Sequence, residues 1–310
     1  MTELARQAAA ALARTPPALR ATPSPTTRPR VLVFAVRYHY IGAAVEIVLS
    51  HALRLHGARI DVVLCDQLMP ACDHRSIDND TVEACQACAG DAAALFSAAG
   101  LPVYQLSKFF DSARLPALRA HVANLSPEAL LDTNYLGVKV GGIAYASTLR
   151  YFLCGRLTDE TQRAKQREFL ATAMMMAEVS QALLTELQPE AVLVSHGIYV
   201  TWGVMAEYAR QQGARVTVYG YGYRRNSLLI SQGETYHHDL LVEPASRWRD
   251  RPLTDAQREQ IETYLRSRVN GGLDWITYSP DPDVDRETIA RTLALDPNKL
   301  TLGLFTNLSW

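Results

Sequence analysis

Short uncharged apolar runs separated by amphipathic stretches of helical length set the pattern of this chain from Val31 onward. VLVFA at Val31–Ala35 predicts a buried strand. The polar residues Arg37, Tyr38, His39 and Tyr40 follow it, and a helix begins near Gly42, with Val45, Val48, Leu49, Ala52 and Leu53 on one face and Gly57 closing it. IDVVLC at Ile60–Cys65 predicts a second strand, and Leu101–Leu106, after a helix closed by Gly100, a third. Strand, helix, strand at short intervals predicts an α/β fold with a doubly wound, Rossmann-like parallel sheet.

The pattern weakens between Ser107 and Tyr151, where Gly141 and Gly142 interrupt an apolar run and predict a loop entering a helix that carries Ser147, Thr148 and Arg150. A long amphipathic helix is expected from about Asp159 to Leu187, its methionines filling core space, with Pro189 beyond it. Val192–Arg225 then reads as a strand–helix–strand unit with polar residues after each strand: Ser195, His196 and Tyr199, then Tyr221, Tyr223, Arg224 and Arg225. Leu228–Ser231 and Tyr236–Val242 read as short strands or turns, with Tyr236, His237 and His238 in a polar turn. Charged helices are expected over Thr254–Val269 and Asp285–Leu295. The implied organisation is a disordered Ala/Pro-rich lead-in over 1–30, with a frayed helix at Leu4–Ala13, and one Rossmann-like domain over 31–295. Residues 296–310 form a linker, Asp296–Asn298, and a strand, LTLGLFT, that would open a second domain missing from this sequence.

Apolar residues make up 48% of the 310, enough for a sizeable core, yet no run reaches the ~18 uncharged residues of a membrane span. The lead-in lacks the apolar stretch of a secretion signal, so a cytoplasmic location is expected. A formal charge of -1 argues against nucleic acid as a general partner, since neutralising phosphates requires a clearly basic face.

In open parallel sheets ligands bind beyond the carboxyl ends of the strands, so the loaded exits imply a small-molecule site. His196, between Ser195 and Gly197, is placed to remove a hydroxyl proton near neutral pH, and His39 after the first strand has a similar claim. Arg224 and Arg225 suit bidentate contact with a phosphate or carboxylate, as do Arg37, Lys139 and Arg150; a solvated pair at a loop tip is the other reading of the first two. Tyr38, Tyr199 and Tyr223 would line the cleft or pack its rim. VSHG is not a G-x-S-x-G elbow, and GYGYRR lacks the third glycine of a dinucleotide loop.

Four of the five cysteines, Cys65, Cys72, Cys85 and Cys88, fall within 24 residues at C-x6-C-x12-C-x2-C spacing. Four thiolates satisfy a structural zinc ion or an iron-sulfur cluster, with Asp73 and His74 as spare ligands. Two further readings stand beside that one: reduced thiols packed as small hydrophobes, and a Cys85–Cys88 redox couple.

The segments SHGIYVTWG, YGYGYRRNS, GETYHHDL, NGGLDWITY and LGLFTNLSW together resemble bacterial capsule and surface-polysaccharide glycosyltransferases of the GT-B type, a likeness running from about Val31 to Trp310. The resemblance implies an acceptor-binding amino-terminal half and a nucleotide sugar held mainly by the missing second domain. It also implies a glycan or glycolipid acceptor and attachment at the inner membrane only through partners. In such enzymes the LGLFTN strand opens the donor domain, so this chain alone is expected to turn over nothing. A non-catalytic glycan-binding or scaffold protein, and a sugar-nucleotide epimerase of the same fold, are the alternatives.

Overall fold

The computed structural model describes residues 29–270, 273–274, 285–296, 299–300 and 302, with single positions at Arg6, Ala10 and Arg14. Apart from such single positions, the lead-in helix, the NGGLDWITY segment and the LTLGLFT strand lie outside the described residues. The chain divides into two compact units. The larger is Met1–Tyr219 with Ser231–Tyr236 and Leu308–Trp310; the smaller is Gly220–Ile230 with His237–Asn307.

The first apolar run forms β1 (Arg30–Phe34), followed by α1 (Tyr40–Leu55), β2 (Arg59–Leu64), α2 (Val82–Ala98) and β3 (Val103–Gln105). A helical excursion follows: α3 (Leu115–Ala123), α4 (Pro127–Asp132), α5 (Val140–Phe152) and α6 (Glu160–Leu187). The chain then returns through β4 (Ala191–Ser195), α7 (Gly203–Gln211), β5 (Arg215–Tyr221) and β6 (Leu228–Gln232). The remaining described helices are α8 (Tyr236–Val242), α9 (Ser246–Arg249), α10 (Asp255–Asn270) and α11 (Arg286–Thr292).

The six strands order as β3-β2-β1-β4-β5-β6. The pairs β1–β2, β1–β4, β2–β3 and β4–β5 are parallel, with Val33 opposite both Val62 and Leu193, and Ser195 opposite Tyr219. The link from β5 to β6 is too short for a parallel crossover. The bonds Gly222 N–H to Ser227 O and Gly233 N–H to Val216 O show an antiparallel hairpin. The expected α/β fold with a mostly parallel sheet is therefore present.

Both faces of the sheet are covered, as continuous apolar strands require. On one face Val31, Val33, Ile60, Val62 and Leu64 pack with Ala43 and Ile47 of α1 and Ala92, Leu95 and Phe96 of α2. Leu32, Phe34, Val192 and Val194 alternate to the other face and are fully buried. Right-handed crossovers place α1 and α2 on the first face and α7 on the second, because the strand order reverses between β1 and β4. Helix α6 contacts α3, α5 and α7, and Met174, Met175 and Met176 are buried within it, as core filler should be. Asp159 caps it by accepting the Gln162 N–H, and Gln188 ends it in the left-handed region.

Two local expectations change. Gly141 and Gly142 lie inside the first turn of α5 rather than in a loop, because the close approach of α4 requires it: a Cβ on Gly141 would meet the Leu131 carbonyl oxygen at 2.2 Å. Tyr236–Val242 is a helix rather than a strand or turn, and Tyr236 at its start is buried. Among the described residues no helix is long and apolar enough to cross a membrane.

Candidate functional site

The strand order reverses between β1 and β4, and doubly wound sheets bind ligands in the crevice beyond the carboxyl ends of strands at such a point. The larger unit gathers its polar chemistry there. Arg37, three residues beyond β1, donates from Nε to His74 Nδ1 at 3.0 Å and from Nη1 to Asp73 Oδ2 at 3.0 Å. Asp73 is fully buried and also accepts from Thr201 Oγ1 at 2.8 Å. Its carboxylate therefore ties the exits of β1 and β4 to the loop after β2. Burial of one guanidinium–carboxylate pair is tolerable only when further hydrogen bonds satisfy it, and His74 and Thr201 supply them.

The guanidinium of Arg37 also lies 5.4 Å from the centre of the Trp202 ring, within cation–π range. On its other side the Trp202 ring stands 5.7 Å from the His196 imidazole. The Trp202 indole N–H is buried and makes no hydrogen bond. His196 is held from several directions: its N–H bonds to Tyr219 O at 3.0 Å, its carbonyl accepts from Thr235 Oγ1 at 2.8 Å, and its Nδ1 is hydrogen-bonded with the Tyr236 hydroxyl. It sits at φ +52, a left-handed conformation uncommon for a residue with a Cβ. Such strain persists where the surroundings over-determine it, and it clusters at functional sites. Gly197 follows at φ +72, and a Cβ on Gly203 would come within 3.0 Å of the Ile198 backbone. Both glycines of SHGIYVTWG are thus needed for the sharp turn into α7.

The loop between β2 and α2 is fastened over the helical layer. Ala71 N–H bonds Thr172 Oγ1 at 3.2 Å, Ile77 N–H bonds Tyr151 O at 3.1 Å, and Asp80 accepts from Tyr151 Oη at 2.8 Å and Lys165 at 2.6 Å. His74 on that loop is pushed down to about 4, by burial first and by the Arg37 charge second, with His39 and Arg150 adding to the effect. Partial burial and Arg37 lower His39 as well. Two guanidiniums and two imidazoles therefore share one electropositive neighbourhood.

Of the residues singled out in the sequence, Arg37, His39, Arg150 and His196 belong to the larger unit, and the first three influence one another electrostatically through His74. Tyr38 packs against the core beside α2, and burial and Asp91 raise its hydroxyl. Tyr199 is buried, its carbonyl taking the N–H groups of Trp202 and Gly203, so it shapes the turn. Lys139 is exposed ahead of α5 and makes no ion pair among the described residues. Tyr223, Arg224 and Arg225 belong to the smaller unit. There Arg224 forms an antiparallel backbone bridge with Asp274, Arg225 N–H bonds Leu273 O at 2.8 Å, and Arg268 lies 5.9 Å from the Tyr223 ring centre.

Cys65, Cys72, Cys85 and Cys88 are free thiols that line a single cavity of about 20 Å³ with Val36, Met69 and His74, room for roughly one water. Burial pushes Cys65 up to about 11 and raises Cys72 and Cys88. Among the described residues no group of three or more His, Cys, Asp or Glu is arranged to hold a metal ion. Burial thus favours the neutral thiol at Cys65, Cys72 and Cys88.

Sequence reasoning missed three contributors. Asp73 and His74 entered only as spare metal ligands, and Tyr236 was assigned to a polar turn. Its aromatic ring directly before two histidines was the available signal, since a buried tyrosine brings a hydroxyl that needs a partner.

No family model and no curated protein matches the chain. A solved structure of a CDPS from Fluoribacter dumoffii is similar at 13% identity, over 71% of this chain and 96% of that one, with a TM-score of 0.37. A likeness that slight carries no argument about activity.

Proposed function

We propose that the larger unit is the acceptor-binding half of a GT-B glycosyltransferase acting in bacterial surface or capsular polysaccharide synthesis. The observation that carries the reading is the continuous row Asp73, Arg37, Trp202, His196, Tyr236 at the reversal of strand order, with its strained and firmly held histidine. An imidazole takes a proton from an acceptor hydroxyl as that hydroxyl attacks the anomeric carbon of a donor sugar. Arg37, His39 and Arg150 favour an acidic sugar or phosphate nearby. SHGIYVTWG, one of the five segments that carry the family resemblance, builds this exit.

His196 is the favoured base over His39, because His39 precedes α1 at an exposed position without a side-chain cap bond. The test is transfer of labelled sugar from a mixture of nucleotide sugars onto glycan acceptors by the enzyme that carries both halves. His196→Ala is expected to lower turnover by about 10²–10⁴-fold. Unchanged turnover would contradict the assignment. Glycan capture without any transfer would favour a non-catalytic glycan-binding protein.

A further inference from the structure

The hydrogen-bond directions around Arg37 fix the state of a second histidine. Arg37 Nε–H can only donate, and it points at His74 Nδ1 across 3.0 Å. The Nδ1 atom must therefore present its lone pair, and the proton of the neutral ring must sit on Nε2. A proton on Nδ1 would set two N–H groups against each other. Arg37 cannot turn away to relieve this, because Nη1 is committed to buried Asp73 and its flat face to Trp202. Nε2 makes no hydrogen bond among the described residues, and the residue is only half-buried. The ring is held in place through its backbone too, whose N–H bonds Cys72 Sγ at 3.4 Å.

We infer that His74 is a positioning residue of the crevice, a neutral imidazole locked by Arg37 in the Nε2–H tautomer that donates a hydrogen bond to a sugar oxygen. This rests on the sugar-handling reading for its ligand, but not for its tautomer. The inference separates the histidines by role. His74 offers a proton-bearing nitrogen and no basic lone pair, so it orients a hydroxyl or ring oxygen and leaves proton removal to another group. A neutral donor also suits an uncharged oxygen, where a cationic one would draw in solvent and counter-ions.

Two measurements on the whole chain test it. Long-range proton–nitrogen NMR at pH 7 is expected to show one imidazole with protonated Nε2 and bare Nδ1 that disappears in His74→Gln and loses its fixed tautomer in Arg37→Gln. A His74 signal with protonated Nδ1 would overturn the proposal. On an array of hexose, hexosamine and uronic acid oligosaccharides, His74→Phe should weaken capture by about 5–10-fold, as loss of one hydrogen bond does. His74→Gln, which keeps an acceptor for Arg37 and an N–H donor, should restore most of it. Equal capture by the Phe variant overturns the donor role. If the unaltered chain captures no glycan while the Nε2–H signal is present, the ligand assignment and the sugar-handling reading fall together; the locked tautomer stands.

Discussion

Adjacent residues on one loop lead into opposite chemistries. Cys72 lines an apolar cavity with three other thiols, Asp73 is taken up by charge and directed hydrogen bonds with Arg37 and Thr201, and His74 stands between the two, lining the cavity while accepting from Arg37. On the α1/α2 side of the sheet burial favours the neutral form of several groups. Cys65, Cys72 and Cys88 are raised there, and Glu46 of α1, which accepts from Tyr219 Oη at 2.8 Å, is pushed up to about 8 by burial despite that bond. The Arg37–Asp73 side instead keeps a full ion pair, because His74, Thr201 and Trp202 surround it. A buried ionisable group either loses its charge or acquires company, and this protein does one on each side of β1.

The largest effect expected from that contrast is at Glu46. Its folded-state value, about 8, lies above the ordinary 4.5, so the folded protein holds the proton more tightly than the unfolded chain does. That contribution to stability is fully present below pH 4.5 and is lost as pH rises through about 8. Unfolding free energy should decline across this window. Glu46→Gln should flatten the decline and be more stable at pH 8 by on the order of 4 kcal/mol, measured by denaturant titration at several pH values. A wild-type profile already flat from pH 5 to 8 would remove the neutral carboxyl.

Next in size is Asp73→Ala, which strands the Arg37 charge and removes the acceptor of Thr201. A loss of about 3 kcal/mol is expected in the same titration, and Arg37→Met added to it should recover part of the loss, since a methionine leaves no charge to compensate. A loss under about 0.5 kcal/mol, typical of an exposed pair, would show that the network is not buried. The smallest effect concerns the thiols. Cys65, Cys72 and Cys88 should react with an aromatic disulfide reagent at pH 7 about a hundredfold more slowly in the folded than in the unfolded protein, because burial keeps them protonated and covered. Folded-state labelling as fast as unfolded would erase the contrast.

The frame of the fold was legible, and for a plain reason. β1, β2 and β4 are buried on both faces, so each reads as an apolar run, broken inside only by Asp61 of β2, which pairs with Arg30, and α6 is long enough for its 3.6-residue period to show. Strand exits follow from those runs, which is why Arg37 and His196 could be named. The other half of the site could not, because no periodicity places it. Asp73 meets Thr201 across 128 residues of chain, and Tyr236 reaches His196 across 40, from a short helix whose sequence mimics a polar turn. The cysteine spacing was conspicuous because four scarce residues fell close together, yet proximity in sequence brought them to one cavity without organising them as a ligand set.

The most direct test of the account is chemical-shift mapping of the chain titrated with whichever oligosaccharide the array retains most strongly. The account predicts that perturbations concentrate at Arg37, His74, His196, Trp202 and Tyr236, and that they weaken in Trp202→Leu. Shifts confined to the opposite end of the sheet, around Gln188–Arg215 where β4 and β5 begin, or no shifts at saturating glycan, would contradict it.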